Sequence, residues 1–244
     1  ADAVFQNLTA RSIYEVPVLL EKQGLDEVVL RKLDVDVTNH PLDMTEWHDM
    51  VERMLKDYDR KVTLGVVGKY VELQDSYISL TEALRHAAMA NEANLDIKWI
   101  NAELAETGEV DLEAELKDVD AILVPGGFGS KGLEGKISAI KYARENKVPF
   151  FGICLGMQCA VVEYARHIGM ADANTTEANP ATTAPVIDIV PEQKDVEEKD
   201  AMRLGLYPCK VAAGSFTEKA YGEALIYERH RNRYEVNNAF REEL

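Results

Sequence analysis

The chain is 244 residues long and sets 27 Lys and Arg against 43 Asp and Glu, a formal net charge of −16 that excludes the basic footprint of a nucleic-acid binder. Its composition is 46% hydrophobic and 29% charged, as in an ordinary globular chain, and its longest uncharged run, residues 148–162, is broken by Gly152, Gly156 and Gln158 and is too short to span a membrane. Three cysteines, Cys154, Cys159 and Cys209, are too few to staple a protein of this size, so the expectation is a cytoplasmic chain in reducing surroundings, with Ala1 in mid-pattern suggesting a piece of a longer one.

Three blocks follow in chain order. In residues 1–33, Pro17 suits a first helical turn, Gly24 suits its end, and a second short helix is predicted from Leu25 to Leu33. Two such helices bury no core alone and read as the tail of an upstream domain. Residues 34–60 read as a linker, polar and turn-rich through Asp34, Asn39 and Pro41, then helical where Trp47, Met50, Val51 and Met54 recur at helical spacing, with Thr45 as its expected cap.

Residues 61–244 alternate strand and helix. Strands are predicted at 62–67, 95–100, 119–124 and 148–153, and helices at 76–91, 112–117, 135–146 and 154–168. The fold class is therefore α/β, an open and mostly parallel sheet with helices on both faces. Beyond Gly169 the rhythm changes: a Thr/Ala/Pro loop carrying Glu177, then short strands at 186–190, 202–207 and 225–228, a small, mainly β addition to the sheet. The charged run 193–200 reads as a solvated loop.

Two loops at predicted strand ends can do chemistry. Gly152-Ile153-Cys154-Leu155-Gly156 has the spacing of a nucleophile elbow, and Cys154 at a helix start would have its thiolate favoured by the helix dipole. Cys159, five residues along the same helix, points elsewhere; it and Cys209 read as packed, unreactive thiols. Pro125-Gly126-Gly127-Phe128-Gly129 exposes backbone N–H groups of the kind an oxyanion hole needs, and Leu155 N–H would supply another. No residue group reads as a metal site.

With Met157-Gln158, these two loops resemble a class I (triad) glutamine amidotransferase domain, flavodoxin-like in fold. Val67-Gly68-Lys69-Tyr70, Glu134-Gly135-Lys136, Met202-Arg203-Leu204-Gly205 and Glu228-Arg229-His230-Arg231-Asn232-Arg233-Tyr234 are similar to the CTP synthase family in particular. The resemblance implies a glutaminase that passes ammonia to its own synthetase domain, where UTP becomes CTP at the expense of ATP. That domain would hold Mg and ATP, GTP would activate the glutaminase allosterically, and the whole enzyme would be a homotetramer; no cofactor is implied for this chain. Carried over residue by residue, it implies Cys154 as nucleophile and Gly127 and Leu155 as oxyanion donors. Gly127, Leu155, Gly156, Met157 and Gln158 would line the glutamine site, with Glu177 on the substrate amino group and Arg233 on its α-carboxylate.

The family takes its base and orienting acid from a His-Pro-Glu motif, which these residues lack. Of the five histidines, His40, His48, His86, His167 and His230, none precedes Pro-Glu. The expectation is an incomplete triad and an inactive chain. The alternatives are a degenerate amidotransferase-fold module that binds or scaffolds without catalysis, or another hydrolase such as a cysteine peptidase, against which the Glu177 and Arg233 motifs argue.

Overall fold

A computed structural model describes residues 1–36, 43–190 and 202–244. The linker stretch with His40 and Pro41, and the charged run 193–200, lie outside the described residues. By its internal contacts the chain divides into two units, residues 1–62 with 77–96 and residues 63–76 with 97–244.

In the first unit the two expected short helices are α1 (Val16–Glu21) and α2 (Leu25–Lys32), separated by Gly24 at φ +76°. The linker helix α3 spans Thr45–Leu55, but its cap differs from expectation. Thr45 is already helical, and the Asp43 carboxylate accepts its N–H at 2.9 Å. Trp47 is tied back to the Tyr14 carbonyl (2.9 Å), and the Tyr14 hydroxyl meets Glu82 and His86 on α4 (Ile78–Ala90). The α3 stripe is therefore an internal packing face.

The main sheet has the order β2-β1-β3-β4, made of β1 (Arg60–Gly68), β2 (Ala93–Asn101), β3 (Ala121–Val124) and β4 (Phe150–Gly152). β1 pairs with β3 and β3 with β4, both parallel. Val66, Val67, Ile122 and Val124 are fully buried, so these strands read as continuous apolar runs rather than alternating ones. Crossovers run through α5 (Ala102–Thr107), which the sequence reading missed, α6 (Leu112–Leu116), α7 (Leu133–Asn146) and α8 (Leu155–His167).

After α8, the small β region forms separate sheets and does not extend the main one. β5 (Ala173–Thr175) and β9 (Tyr234–Val236) flank β6 (Ala184–Ile189), the first parallel and the second antiparallel. β7 (Arg203–Lys210) and β8 (Leu225–Asn232) form a two-stranded antiparallel ribbon, with α9 (Phe216–Tyr221) in the connection. β5 and β9 have three residues each, too short to show a period in sequence.

Candidate active site

β4 delivers the chain into a sharp turn at Cys154, which sits before α8 with φ +50° and ψ −109°. A non-glycine residue in that region is strained by roughly 1–3 kcal/mol and persists only where its surroundings fix it. Here Ile153 N–H donates to the Val124 carbonyl (3.0 Å), Gly156 N–H to Ile153 (2.8 Å) and Gln158 N–H to Cys154 itself (3.0 Å). The flanking glycines are required by close approach. A Cβ on Gly156 would lie 2.0 Å from the Val124 oxygen, and one on Gly152 would lie 2.6 Å from the Gly156 carbonyl carbon. The elbow spacing is thus what lets α8 start against the end of β3.

Because β3 and β4 are parallel neighbours, the glycine loop after β3 emerges beside the cysteine. A Cβ on Gly126 would be 3.3 Å from that of Cys154, and one on Gly127 would be 3.6 Å from Leu155 Cδ2. The loop is held by charged side chains. Lys69, at the end of β1, donates to the Phe128 carbonyl (3.1 Å), and Gly129 N–H donates to Glu177 Oε1 (2.8 Å). Glu177 thus reaches the loop that follows β3.

Cys154 also lines a cavity of about 510 Å³, with Met157, Gln158, Arg203, Arg231 and Tyr234 among its other lining residues. Gly127, Glu177 and Arg233 are not among its lining residues. Cys154 Sγ is 3.9 Å from the Arg231 carbonyl, and Gln158 Nε2 donates to the Tyr234 carbonyl (2.8 Å), so the elbow and α8 are tied to the end of β8 and the start of β9. Arg203 is paired with Glu235 at 2.6 Å. His230 also lines the cavity, but its Nδ1 is paired with Asn232 Oδ1 (3.1 Å) and its ring stands edge-on to Tyr207. Arg233 lies between Asn232 and Tyr234, and its carbonyl accepts Val190 N–H at 3.0 Å.

Electrostatics revise the expected thiol chemistry. Burial pushes the Cys154 thiol above its ordinary value; Leu155 N–H pulls it back, and the Glu177 carboxylate adds to the rise. Desolvation is the largest of these influences on Cys154. Cys159 is buried and pushed up to about 12, consistent with a packed thiol. Cys209 is exposed on β7, contrary to the expectation that it is packed.

Two lysines had no assigned role. Lys69 is 9% exposed and Lys136, on α7, only 1%. Lys136 Nζ lies 3.7 Å from where a Cβ on Gly127 would stand, and burial lowers its pKa. The signal was present in Gly68-Lys69-Tyr70 and Gly135-Lys136-Ile137, but a lysine's burial is not readable from sequence.

The family model for "Glutamine amidotransferase class-I" matches residues 72–244. The chain is 52% identical over 245 residues to a CTP synthase of Clostridium acetobutylicum, and 53% identical over 243 residues to one of Carboxydothermus hydrogenoformans. All of this chain aligns with the first and 99% with the second, yet it covers only 45% and 44% of them, so it spans under half the length of the curated relatives it matches. Among solved structures, the glutaminase domain of Trypanosoma brucei CTPS with bound acivicin is similar, at 38% identity and a TM-score of 0.68, over 74% of this chain and 70% of that one.

Proposed function

As a member of the class I glutamine amidotransferases, and of the CTP synthase family among them, the chain carries a glutaminase domain, and we propose that Cys154 is its nucleophile. The observation that carries this reading is the strained Cys154 turn at the start of α8, packed against a glycine loop that itself follows a neighbouring strand.

The sulfur would attack the side-chain amide carbon of glutamine, forming a C–S bond and sending the carbonyl electrons to oxygen. Gly127 and Leu155 N–H groups would hold that oxyanion. Collapse would break the C–N bond as the proton given up by the thiol passes to the leaving nitrogen, releasing ammonia and leaving a thioester, which water then hydrolyses to glutamate, its second proton restoring the free thiol. Glu177 would take the α-ammonium group and Arg233 the α-carboxylate, while Gly156, Met157 and Gln158 shape the site. The ammonia would pass to the enzyme's synthetase domain and displace phosphate from a UTP phosphorylated at O4. ATP and Mg would act in that domain, GTP would activate the glutaminase, and the intact enzyme would be a homotetramer.

The raised Cys154 thiol needs a base. His230 is engaged by Asn232 and Tyr207, and none of the five histidines precedes Pro-Glu. We infer that the 244 residues alone turn over little glutamine. A second reading, an amidotransferase-fold module that binds without catalysis, draws on the same raised thiol.

The test is Cys154→Ala in the full-length enzyme. Glutamine-dependent CTP formation should fall by several orders of magnitude, as removal of a nucleophile does, while ammonia-dependent synthesis persists. Unchanged glutamine use would remove Cys154 from the mechanism.

A further inference from the structure

The carbonyl that Lys69 holds and the N–H that Glu177 holds belong to one amide, the peptide between Phe128 and Gly129. Lys69 Nζ is 3.1 Å from the oxygen of that peptide, and Glu177 Oε1 is 2.8 Å from its nitrogen. We propose that this peptide anchors the oxyanion loop and that Lys69 and Glu177 are positioning residues gripping it at opposite ends of its dipole. The inference rests on the glutaminase reading above.

A peptide unit carries a dipole of about 3.5 D, negative at oxygen and positive at N–H. A cation on the oxygen and an anion on the hydrogen favour the same orientation of the plane. Turning the plane over would aim the oxygen at the carboxylate and the N–H at the ammonium, opposing both contacts at once. The loop needs such restraint. Three of its four residues from Gly126 to Gly129 are glycine, and Gly129 sits at φ +79°, where glycine moves freely between basins. Charge-assisted hydrogen bonds are roughly twice as strong as neutral ones, and Lys69 makes its contact while buried.

Gly127, the expected oxyanion donor, lies two residues from the gripped nitrogen. Fixing the plane fixes the loop's exit, and therefore where the Gly127 N–H points relative to Cys154. Lys136 completes the setting: its ammonium stands next to Gly127 and within electrostatic range of Lys69 and Glu177. Glu177 then has two duties, holding the loop and receiving the substrate's ammonium group, whereas Lys69 acts on the loop through the Phe128 carbonyl.

The duties separate in steady-state kinetics of the full-length enzyme. Lys69→Met, which keeps the stem and loses the donor, should lower kcat for glutamine hydrolysis about tenfold or more, since a displaced oxyanion donor costs on the order of 10²–10³ when lost outright. KM for glutamine and ammonia-dependent synthesis should hold. Lys69→Arg should recover most of the loss and Lys69→Gln less, and both guard against a variant that fails to fold. Adding Glu177→Gln to Lys69→Met should cost less than the product of the two single effects, because both act on one peptide. An unchanged kcat in all Lys69 variants, an equal fall in ammonia-dependent synthesis, or strictly multiplicative losses would each overturn the clamp. Failure of the glutaminase reading looks different: the unaltered enzyme would hydrolyse no glutamine, or would do so undiminished after Cys154→Ala.

Discussion

At Cys154 the backbone, the packing and the electrostatics pull in different directions. Strain at φ +50° presents the sulfur beside the glycine loop, while burial pushes the pKa of its thiol up. The flanking glycines are sensitive positions, because neither has room for a methyl group. Gly156→Ala should destabilise the domain by about 1–3 kcal/mol or more, from overlap with the Val124 carbonyl, measured as a lowered midpoint in urea. A wild-type midpoint would mean that α8 can back away from β3. Substrate recognition should split in a comparable way. Arg233→Ala in the full-length enzyme should raise KM for glutamine about tenfold or more, the worth of one charge-assisted contact, and leave kcat near its starting value. Glu177→Ala should raise KM and also lower kcat, because its carboxylate holds Gly129 as well. Equal behaviour of the two variants in glutamine kinetics would contradict the double duty of Glu177. The residue types and spacing of this site were legible in the sequence, because an elbow and a glycine loop are short-range patterns. The peptide grip was not, since Lys69, Phe128 and Glu177 meet only through the order of the strands.

Elements were legible where apolar runs were long and bounded by glycine or proline. The expected strand at 119–124 became β3 at Ala121–Val124, and the expected helix at 154–168 became α8 at Leu155–His167. α5 escaped because its six residues, Ala102–Thr107, are mostly small or charged and are started by an Asn101 cap rather than by an apolar stripe. The β region after α8 was recognised as strands but not as separate sheets, since pairing partners 40 or more residues apart leave no local trace. Buried titratable groups give the helices their own tests. On α7, Lys136 is buried and desolvation lowers its pKa, a cost that an apolar side chain of similar shape would not carry. Lys136→Met should therefore leave thermal stability unchanged or raise it; a fall in Tm of several degrees would show that the ammonium contributes to the fold. On α8, the raised Cys159 pKa makes the protonated thiol the form that folding prefers. Its contribution is complete below the unfolded-thiol range, about 8.5, and is lost as pH rises towards the folded value of about 12. Unfolding free energy between pH 8 and 11 should fall more steeply in the wild type than in Cys159→Ala. Parallel slopes would contradict that burial effect.

At the scale of the whole molecule, the chain divides into two units and spans under half the length of the curated CTP synthases it matches. The first unit, with its two short helices and α3, and the second, with the elbow and its loop, each pack internally. The α/β class and the mainly parallel sheet could be read from alternation alone, because parallel strands need crossovers and crossovers need helices. Thiol reactivity is the property through which the central assignment is most directly exposed. The three cysteines occupy three environments, the elbow, a helix interior and an open strand. A simple alkylating agent should find exposed Cys209 readily, so only a reagent shaped like glutamine discriminates. Incubating the chain with acivicin, then mapping the adduct by peptide mass spectrometry with and without excess glutamine, tests whether the elbow is the glutamine site. The predicted result is modification of Cys154 that glutamine suppresses, with Cys159 untouched. Modification confined to Cys209, or labelling of Cys154 indifferent to glutamine, would contradict it.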